Sequence, residues 1–382
     1  MTDQANSAES VDKHSNEENS ENKKYNLPSP LVDDKEQKLF EELAKRYEKL
    51  IEPSGIKRFG QTVSKALPDR AKELAENTKD VLLEKQLYKS ALEVIGTGFK
   101  AIQEQSVKYT ISVPSAVKRV NQLTDENEIG KPEEFCLVRA YDLSSSVDKE
   151  KGKNLFAAFT EGAATGAPGF AGIPFNLVLS TFLYFRAVQA IALSYGYDVK
   201  NNPAELEIAG QVFSCALGSN DIEGNDTVST EMGAIVAKIM MVSEMATVKQ
   251  AAAKGWANMA THGGMGLLLT QLRALAYKTA RTALEKTGQK GLESTIFRSV
   301  FEQIGRRLAL NTIQKAIPFV SAAIGAVFDT GMMKKVVDYA DIFYCKRFIF
   351  EKEANISALI GDESIIEVYE VEQIASGSDT DD

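Results

Sequence analysis

The chain has few of the residues that commonly carry catalysis or bind metals. Its 382 residues include two histidines, three cysteines and one tryptophan. His14 lies in a polar amino-terminal segment, and the sequence has no H-E-x-x-H, C-x-x-C or G-x-S-x-G motif. Those motifs build zinc sites and serine nucleophiles. We therefore expect no metal and no cofactor, and we name no catalytic residue.

Net positive charge, a leader sequence and a disulfide framework are also lacking. The net charge of −9 and pI near 5.1 disfavour a nucleic-acid partner, because no basic field attracts phosphates. The first residues, MTDQANSAES, contain neither a basic nor an apolar region of a signal peptide. Cys136, Cys215 and Cys345 are odd in number and far apart, which is typical of reduced thiols. We expect a cytoplasmic protein.

Charge is missing altogether from Gly162 to Phe185. Small residues that recur every three or four positions line one helix face, so that another backbone can approach closely. Two prolines break this stretch, because each lacks an N–H donor and disfavours helix in the residue before it. We predict a helical hairpin whose second helix has a proline in its first turn. Its turn residues are Gly162, Gly166, Pro168, Gly169, Gly172 and Pro174.

The hairpin could lie in protein or in lipid. A helix that is apolar all round is buried in one or the other. A spanning helix needs about 20 apolar residues, and neither arm reaches that length before Glu161 or Arg186. We favour a hairpin in the protein core. The second interpretation is a membrane-inserting or re-entrant hairpin. The third, and least favoured, is a pair of transmembrane helices.

A small polar patch interrupts the second arm. Arg186 and Gln189 are three residues apart and share a helix face. Tyr197 returns to that face if the helix continues through Gly196, and Glu161 on the first arm could pair with Arg186. A buried guanidinium is costly unless it is paired, so a structural ion pair is favoured. The two alternative interpretations are a polar binding site within the bundle and exposure of both side chains to solvent. The candidate cluster is Glu161, Arg186, Gln189, Tyr197 and Asp198.

Most of the remaining chain has the 3.6-residue period of helices. We predict an all-α fold, a multi-helix bundle around the Gly/Pro-broken apolar hairpin. Residues 1–34 are polar enough to form a disordered tail, and 356–382 an acidic carboxy-terminal tail. Residues 35–355 form a single helical domain, with amino-terminal helices at 35–122 and a core at 132–350.

Local signals predict several helix boundaries. Breaks are expected at Pro68, at Gly96–Gly98 and at Pro114, and a helix starts at Pro132. Asn202 can cap a helix that begins at Pro203. TGQKG separates two helices near residue 289.

A second apolar run, IPFVSAAIGAVF, spans residues 317–328. Ser321, Ala322, Gly325 and Ala326 again place small residues at helical spacing. A helix continues beyond it through MMKKVVDYADIFYCKRFIFEK.

Two stretches resemble the EcsC protein family. One is the Gly/Pro-rich turn that leads into FRAVQAIALSYGYD, ending at Asp198, and the other is AIPFVSAAIGAVFDTGMMKKVVDYADIFYCKRF. The resemblance covers roughly residues 90–350. It implies a bacterial helical protein of unassigned activity. The family takes its name from an operon with an ABC transporter, and the resemblance therefore implies a function linked to a membrane.

Three functional hypotheses follow. The first is a non-enzymatic helical module that associates with a membrane surface or a membrane-protein partner, suggested by the uncharged hairpin. The second is a hydrolase-type enzyme with a polar site between helices at Arg186. The third is a soluble helical scaffold with the hairpin in its core. Peripheral or inserted association at the inner face of the membrane is the alternative to a purely cytoplasmic location.

Overall fold

Every regular element in the described part of the chain is helical. The structure, a computed structural model, describes residues 25–51, 81–106, 112–150, 173–218, 227–243, 264–312 and 330–361. Within these ranges there is no strand, and the all-α prediction is confirmed. The α-helices are α1 (Asp34–Ile51), α2 (Val81–Ser106), α3 (Val113–Val120), α4 (Ala140–Glu150), α5 (Ile173–Ser194), α6 (Pro203–Gly218), α7 (Thr227–Met241), α8 (Met265–Thr312) and α9 (Thr330–Ile360).

Helix α6 runs antiparallel to both α5 and α9. Arg347 of α9 binds Glu205 near the start of α6, whereas Tyr339 contacts Cys215 near its end. Phe185 of α5 stacks on Phe213 with ring centroids 5.7 Å apart. Helices α5 and α9 therefore begin at the end of the bundle where α6 finishes. We call this the Ile173 end, and the opposite one the Tyr197 end.

Helix α8 is broken at Gly288, where φ is 67° and ψ is 173°. Glycine adopts this left-handed conformation without the steric cost that a Cβ would bring. The predicted separation of two helices by TGQKG is confirmed. The second half of α8 lies against α6 and runs parallel to it. A methyl group at Gly210 would lie 2.9 Å from Ile296 Cγ2, and Ser214 donates a hydrogen bond to Gln303 at 3.1 Å.

Helix α1 lies antiparallel to α9. Its Glu36 binds Lys352 (Nζ–Oε1 2.6 Å), and its Arg46 binds Asp341 (3.1 Å). The amphipathic helix predicted from residue 35 is confirmed, and it ends toward the Ile173 end. Helix α4 begins beside Glu36 and runs the same way, since Asp148 lies near Arg46.

Aromatic packing fills the core between α2, α5 and α8. The Phe182 ring lies edge-on to Phe297, with centroids 5.2 Å apart, and Phe99 packs against both. Phe182, Phe185 and Phe297 are fully buried. Truncating one such side chain to alanine costs about 3–5 kcal/mol, so these rings are a main source of stability.

Capping residues define the start of α6 as predicted. Asn202 Oδ1 accepts hydrogen bonds from the backbone N–H of Ala204 (3.0 Å) and Glu205 (3.3 Å). Pro203 is the first helical residue, where its missing N–H has no intrahelical acceptor to lose.

One boundary prediction is wrong and another is right in position only. Helix α2 continues through Gly96 and Gly98, because a glycine costs only about 1 kcal/mol in a helix and buried Ile95 and Ile102 anchor the helix on either side. A helix does begin at Pro132 as predicted, but it is a short 3₁₀ helix, Pro132–Leu137, and extended Val138 separates it from α4.

The structure also bears on the chain ends. Tyr25 donates a hydrogen bond to Glu134 Oε1 (2.9 Å), and Asn26 exchanges backbone-to-amide hydrogen bonds with Asn127. Residues 25–33, assigned above to the tail, therefore contact the domain, because buried Glu134 offers them an acceptor. Helix α9 continues to Ile360, past the predicted boundary at 355. The division into a single domain stays a prediction.

Candidate functional site

The predicted polar patch joins three helices. Arg186 Nη1 donates to Gln189 Oε1 at 3.1 Å. Glu293 of α8 accepts from Arg186 Nη2 and from Gln189 Nε2, both at 3.1 Å. Gln103 of α2 also donates to Glu293, at 2.9 Å. The patch therefore connects α2, α5 and the second half of α8.

Glu293 is the carboxylate that sequence reasoning missed. No spacing rule links it to Arg186, which precedes it by 107 residues. Glu161, the partner proposed from the sequence, lies outside the described residues. The side chains of Arg186 and Glu293 are 13% and 18% exposed. Burial lowers the pKa of Arg186, and Glu293 opposes that shift.

Tyr197 and Asp198 lie apart from the Arg186 patch, because the condition for placing Tyr197 on that face, a helix that continues through Gly196, is not met. Helix α5 ends at Ser194, and Gly196 has φ of +89°. A Cβ at Gly196 would lie 2.6 Å from the carbonyl oxygen of Pro132, which fixes glycine at this turn. Asp198 Oδ1 accepts from the backbone N–H of Lys200 (2.9 Å) and so shapes the turn.

The rest of the predicted hairpin is described only from Ile173 onward. Pro174 lies in the first turn of α5, as expected. Most of the described side chains of this arm from Val178 onward are buried in the protein, including Phe182 and Phe185, as the core interpretation expects. The other turn residues fall outside the described ranges: Gly162, Gly166, Pro168, Gly169 and Gly172.

Tyr197 belongs to a buried ion cluster at the Tyr197 end. Arg347 binds Glu205 through two parallel hydrogen bonds, of 2.6 and 2.7 Å. Its Nε donates to Glu351 at 3.2 Å, and Arg273 also binds Glu351, at 2.9 Å. The Tyr197 hydroxyl donates to Glu351 at 3.0 Å, and its ring lies 4.0 Å from the Arg347 guanidinium. The charges of the two arginines balance those of the two glutamates. We call these four residues, together with Tyr197, the Arg347 cluster.

Electrostatics keep the Arg347 cluster ionised. Burial disfavours the guanidinium of Arg347, yet the carboxylates of Glu205 and Glu351 raise its pKa well above the usual value. Burial would raise the pKa of Glu351, but Arg273 and Arg347 lower it. Burial and the neighbouring Glu351 raise the pKa of the Tyr197 hydroxyl. None of these pKa values moves toward neutrality, as proton transfer at pH 7 requires.

A second cluster ties α9 to the start of α1. Asp33 and Glu36 form a capping box, each side chain accepting from the other's backbone N–H at 2.7 and 3.1 Å. Lys352 and Arg139 both bind Glu36, at 2.6 and 3.1 Å. The Ala140 N–H donates to Glu36 Oε1 at 2.8 Å. One carboxylate therefore joins α1, α4 and α9.

Helix α9 carries two further buried charges. Asp341 accepts from the Tyr195 hydroxyl at 2.7 Å and binds Arg46. Lys346 donates to the carbonyl oxygens of Met240 (2.7 Å) and Val242 at the end of α7. Burial lowers the pKa of Lys346 to about 7. A cation near the carboxyl end of a helix is stabilised by the partial negative charge of the carbonyl groups that have no partner within the helix.

The polar side chains described above are joined mainly in ion pairs between helices. Among the described residues, no group of three or more His, Cys, Asp and Glu side chains is arranged to hold a metal. None of the helices described here is long and apolar enough to cross a membrane.

Comparisons with known proteins identify the family. No curated protein and no solved structure matches the chain. The model of the EcsC protein family matches residues 31–349. This range contains α1, the Arg186 patch and most of α9, and it extends the resemblance on the amino-terminal side, from about residue 90 to residue 31. The chain belongs to the EcsC protein family.

Proposed function

We propose that the protein is a non-enzymatic helical module that associates with a membrane surface through the Ile173 end of its bundle. The observation that carries the proposal is that four helix ends, which the connections 151–172 and 313–329 join in pairs, lie toward the same end of the described bundle. Helices α5 and α9 begin at the Ile173 end, and α4 and the second half of α8 finish toward it. Residues 151–172 and 313–329 therefore connect helix ends that point the same way.

The sequences of those two connections support the choice of a lipid surface. They contain the Gly/Pro-rich turn and the run IPFVSAAIGAVF, which has no charged residue from Ile317 to Phe328. Apolar segments that join helix ends on the same side of a helical domain can insert into the headgroup region of a membrane. Phe170 and Phe319 are the large side chains best suited to that contact.

The burial of α5 limits how deep such contact would reach. Val178, Phe182 and Phe185 are already covered by protein. Residues from 178 onward are therefore kept out of the proposed contact, which rests on 151–172 and 313–329. This supports peripheral or shallow association at the membrane.

The proposal is tested by co-sedimentation of the full chain with vesicles of anionic and of neutral phospholipid. Phe170→Asp and Phe319→Asp should each lower binding at least tenfold, because a carboxylate at the interface opposes insertion and repels anionic lipid. Tyr277→Asp is the matched control, since Tyr277 is a 66% exposed aromatic on the first half of α8. It should bind as the unchanged protein does.

Folding must be intact for this comparison, so each variant's thermal unfolding midpoint is measured alongside. If the unchanged protein stays in the supernatant with both vesicle types, direct lipid binding is excluded. If Tyr277→Asp weakens binding as much as Phe319→Asp does, the contact is not located at the Ile173 end.

A further inference from the structure

Glu207 is a buried carboxyl group that none of the ion clusters uses. It lies on α6 and is 5% exposed. One helical turn later, Gln211 is 1% exposed, and its amide oxygen Oε1 has no hydrogen-bond donor. Gln211 shares a helix face with Glu207, and hydrogen bonding from Gln211 opposes the rise in the pKa of Glu207. The two side chains therefore form an isolated polar pair on the face of α6 between its contacts to α7 and α8.

No described cation is placed to balance an ionised Glu207. Helix α6 packs against α5, α7, α8 and α9. No charged group figures among the causes of the pKa shift of Glu207. Half-buried Lys335 of α9 precedes Tyr339, which contacts Cys215, and so lies toward the Ile173 end, away from Glu207. The other charged groups named below have other partners or are exposed on the surface. On α5 and α8, Arg186 binds Glu293, Arg273 binds Glu351, and Arg281 and Arg298 bind Glu285 and Glu302. On α7, Glu231 and Lys238 are exposed. On α9, Arg347 binds Glu205 and Glu351, Lys346 binds backbone carbonyls, Asp341 binds Arg46 and Lys352 binds Glu36.

Two protonation states of Glu207 can be compared by their hydrogen bonds. An ionised carboxylate only accepts, so it takes one N–H from Gln211 and leaves Gln211 Oε1 unsatisfied. A protonated carboxyl has one O–H to donate. A buried polar atom without a partner costs about 1–3 kcal/mol, and an unpaired buried charge costs more. Both terms favour the protonated form.

We propose that Glu207 is a neutral carboxylic acid in the folded protein and forms a two-bond acid–amide pair with Gln211. The acid O–H donates to Gln211 Oε1, and Gln211 Nε2 donates to the acid carbonyl oxygen. This satisfies the amide oxygen that otherwise has no donor. The pair makes packing around α6 sensitive to pH, because losing the proton breaks one hydrogen bond and buries a charge.

The sign of the pH dependence follows from the direction of the shift. Burial raises the pKa of Glu207 from 4.5 to about 7. The folded chain then binds a proton that the unfolded chain has released between these two pH values. The contribution to stability is fully present below pH 4.5 and is lost as pH rises through about 7.

Urea unfolding of the full chain between pH 5 and pH 8 tests the proposal. The equilibrium constant for unfolding of the unchanged protein should rise by roughly 70-fold more than that of Glu207→Gln, by the linkage of a 2.5-unit shift. Glu231→Gln, an exposed change on α7, should retain the full pH dependence. Equal pH dependence in Glu207→Gln and the unchanged protein would overturn the proposal.

A second measurement does not depend on the folding of a variant. The infrared spectrum of the unchanged protein at pH 6 should contain the C=O stretch of a protonated carboxylic acid, and that band should disappear by pH 9. Isotope labelling of glutamate should shift it. If no such band is present at pH 6, Glu207 is ionised and the acid–amide pair does not exist.

Discussion

The two ends of the bundle differ in what holds them together. At the Tyr197 end, the Arg347 cluster and the Glu36–Lys352 pair place three charged side chains, Arg347, Lys352 and Glu36, in positions with no solvent exposure. Toward the Ile173 end, aromatic contacts such as Tyr47 against Tyr339, with centroids 5.8 Å apart, lie beside the Arg46–Asp341 pair, whose arginine is partly exposed. The connections that leave this end contain the uncharged stretches 162–172 and 317–328.

This difference separates stability from the proposed binding. Buried ion pairs fix which helices meet, because a wrong pairing leaves a charge without a partner. Apolar segments impose no such selection and can contact lipid. Changes at the Tyr197 end should therefore affect folding, whereas changes in 151–172 and 313–329 should affect vesicle binding.

The largest effect is expected from Arg347→Met. It removes the partner of both Glu205 and Glu351 while keeping most of the side-chain volume. We expect a loss of about 3–5 kcal/mol in the free energy of unfolding, as for other broken buried pairs. Urea denaturation measures it. A loss below 1 kcal/mol would mean that the cluster does not hold the Tyr197 end together.

A smaller effect is expected from Arg186→Leu. The patch is partly exposed, so water can solvate Glu293 after the guanidinium is lost. We expect a loss of about 1–3 kcal/mol, from the charged hydrogen bonds that disappear. Glu293→Gln is the companion variant and should cost less, because it keeps a hydrogen-bonding group. Unchanged stability in Arg186→Leu would instead favour the alternative of an enzyme with a polar site here.

Tyr197→Phe separates hydrogen bonding from charge within the Arg347 cluster. The ring that stacks on Arg347 is kept, and Glu351 retains Arg273 and Arg347. Only the hydroxyl bond is lost, so we expect about 1 kcal/mol, measured by urea denaturation. A loss as large as that of Arg347→Met would show that the hydroxyl organises the whole cluster.

The smallest effect is expected from Arg281→Gln. Arg281 and Glu285 form an exposed pair one helical turn apart, with side chains 71% and 64% exposed. Such pairs contribute about 0.3–0.5 kcal/mol. Thermal unfolding at low and high salt measures it. A larger loss than that of Arg186→Leu would contradict the idea that burial decides the strength of these pairs.

The helices were predictable because local signals decide them. The Asn202 cap, the break at Gly288 and the period of α1 each involve residues close in sequence. The sequence also indicated that Arg186 is unusual, since it is the first charge after a long uncharged stretch. Its partner Glu293 was not predictable, because pairing across 107 residues depends on how the helices pack.

The Arg347 cluster was missed for a similar reason. In DYADIFYCKRFIFEK the charges alternate with apolar residues and resemble an ordinary solvated helix face. A usable signal was present: charges occur on every side of this helix, so some of them had to be buried. Tyr197 was assigned to the wrong cluster because Gly196 turns the chain after α5.

Fractionation of the native protein from cells, with salt and carbonate washes of the membranes, tests the central claim most directly. The account predicts a membrane-bound pool that withstands high salt, since apolar residues make the contact, and that Phe319→Asp moves to the soluble fraction. Release by salt alone would indicate docking on a membrane-protein partner. A protein found wholly in the soluble fraction would contradict the proposed function.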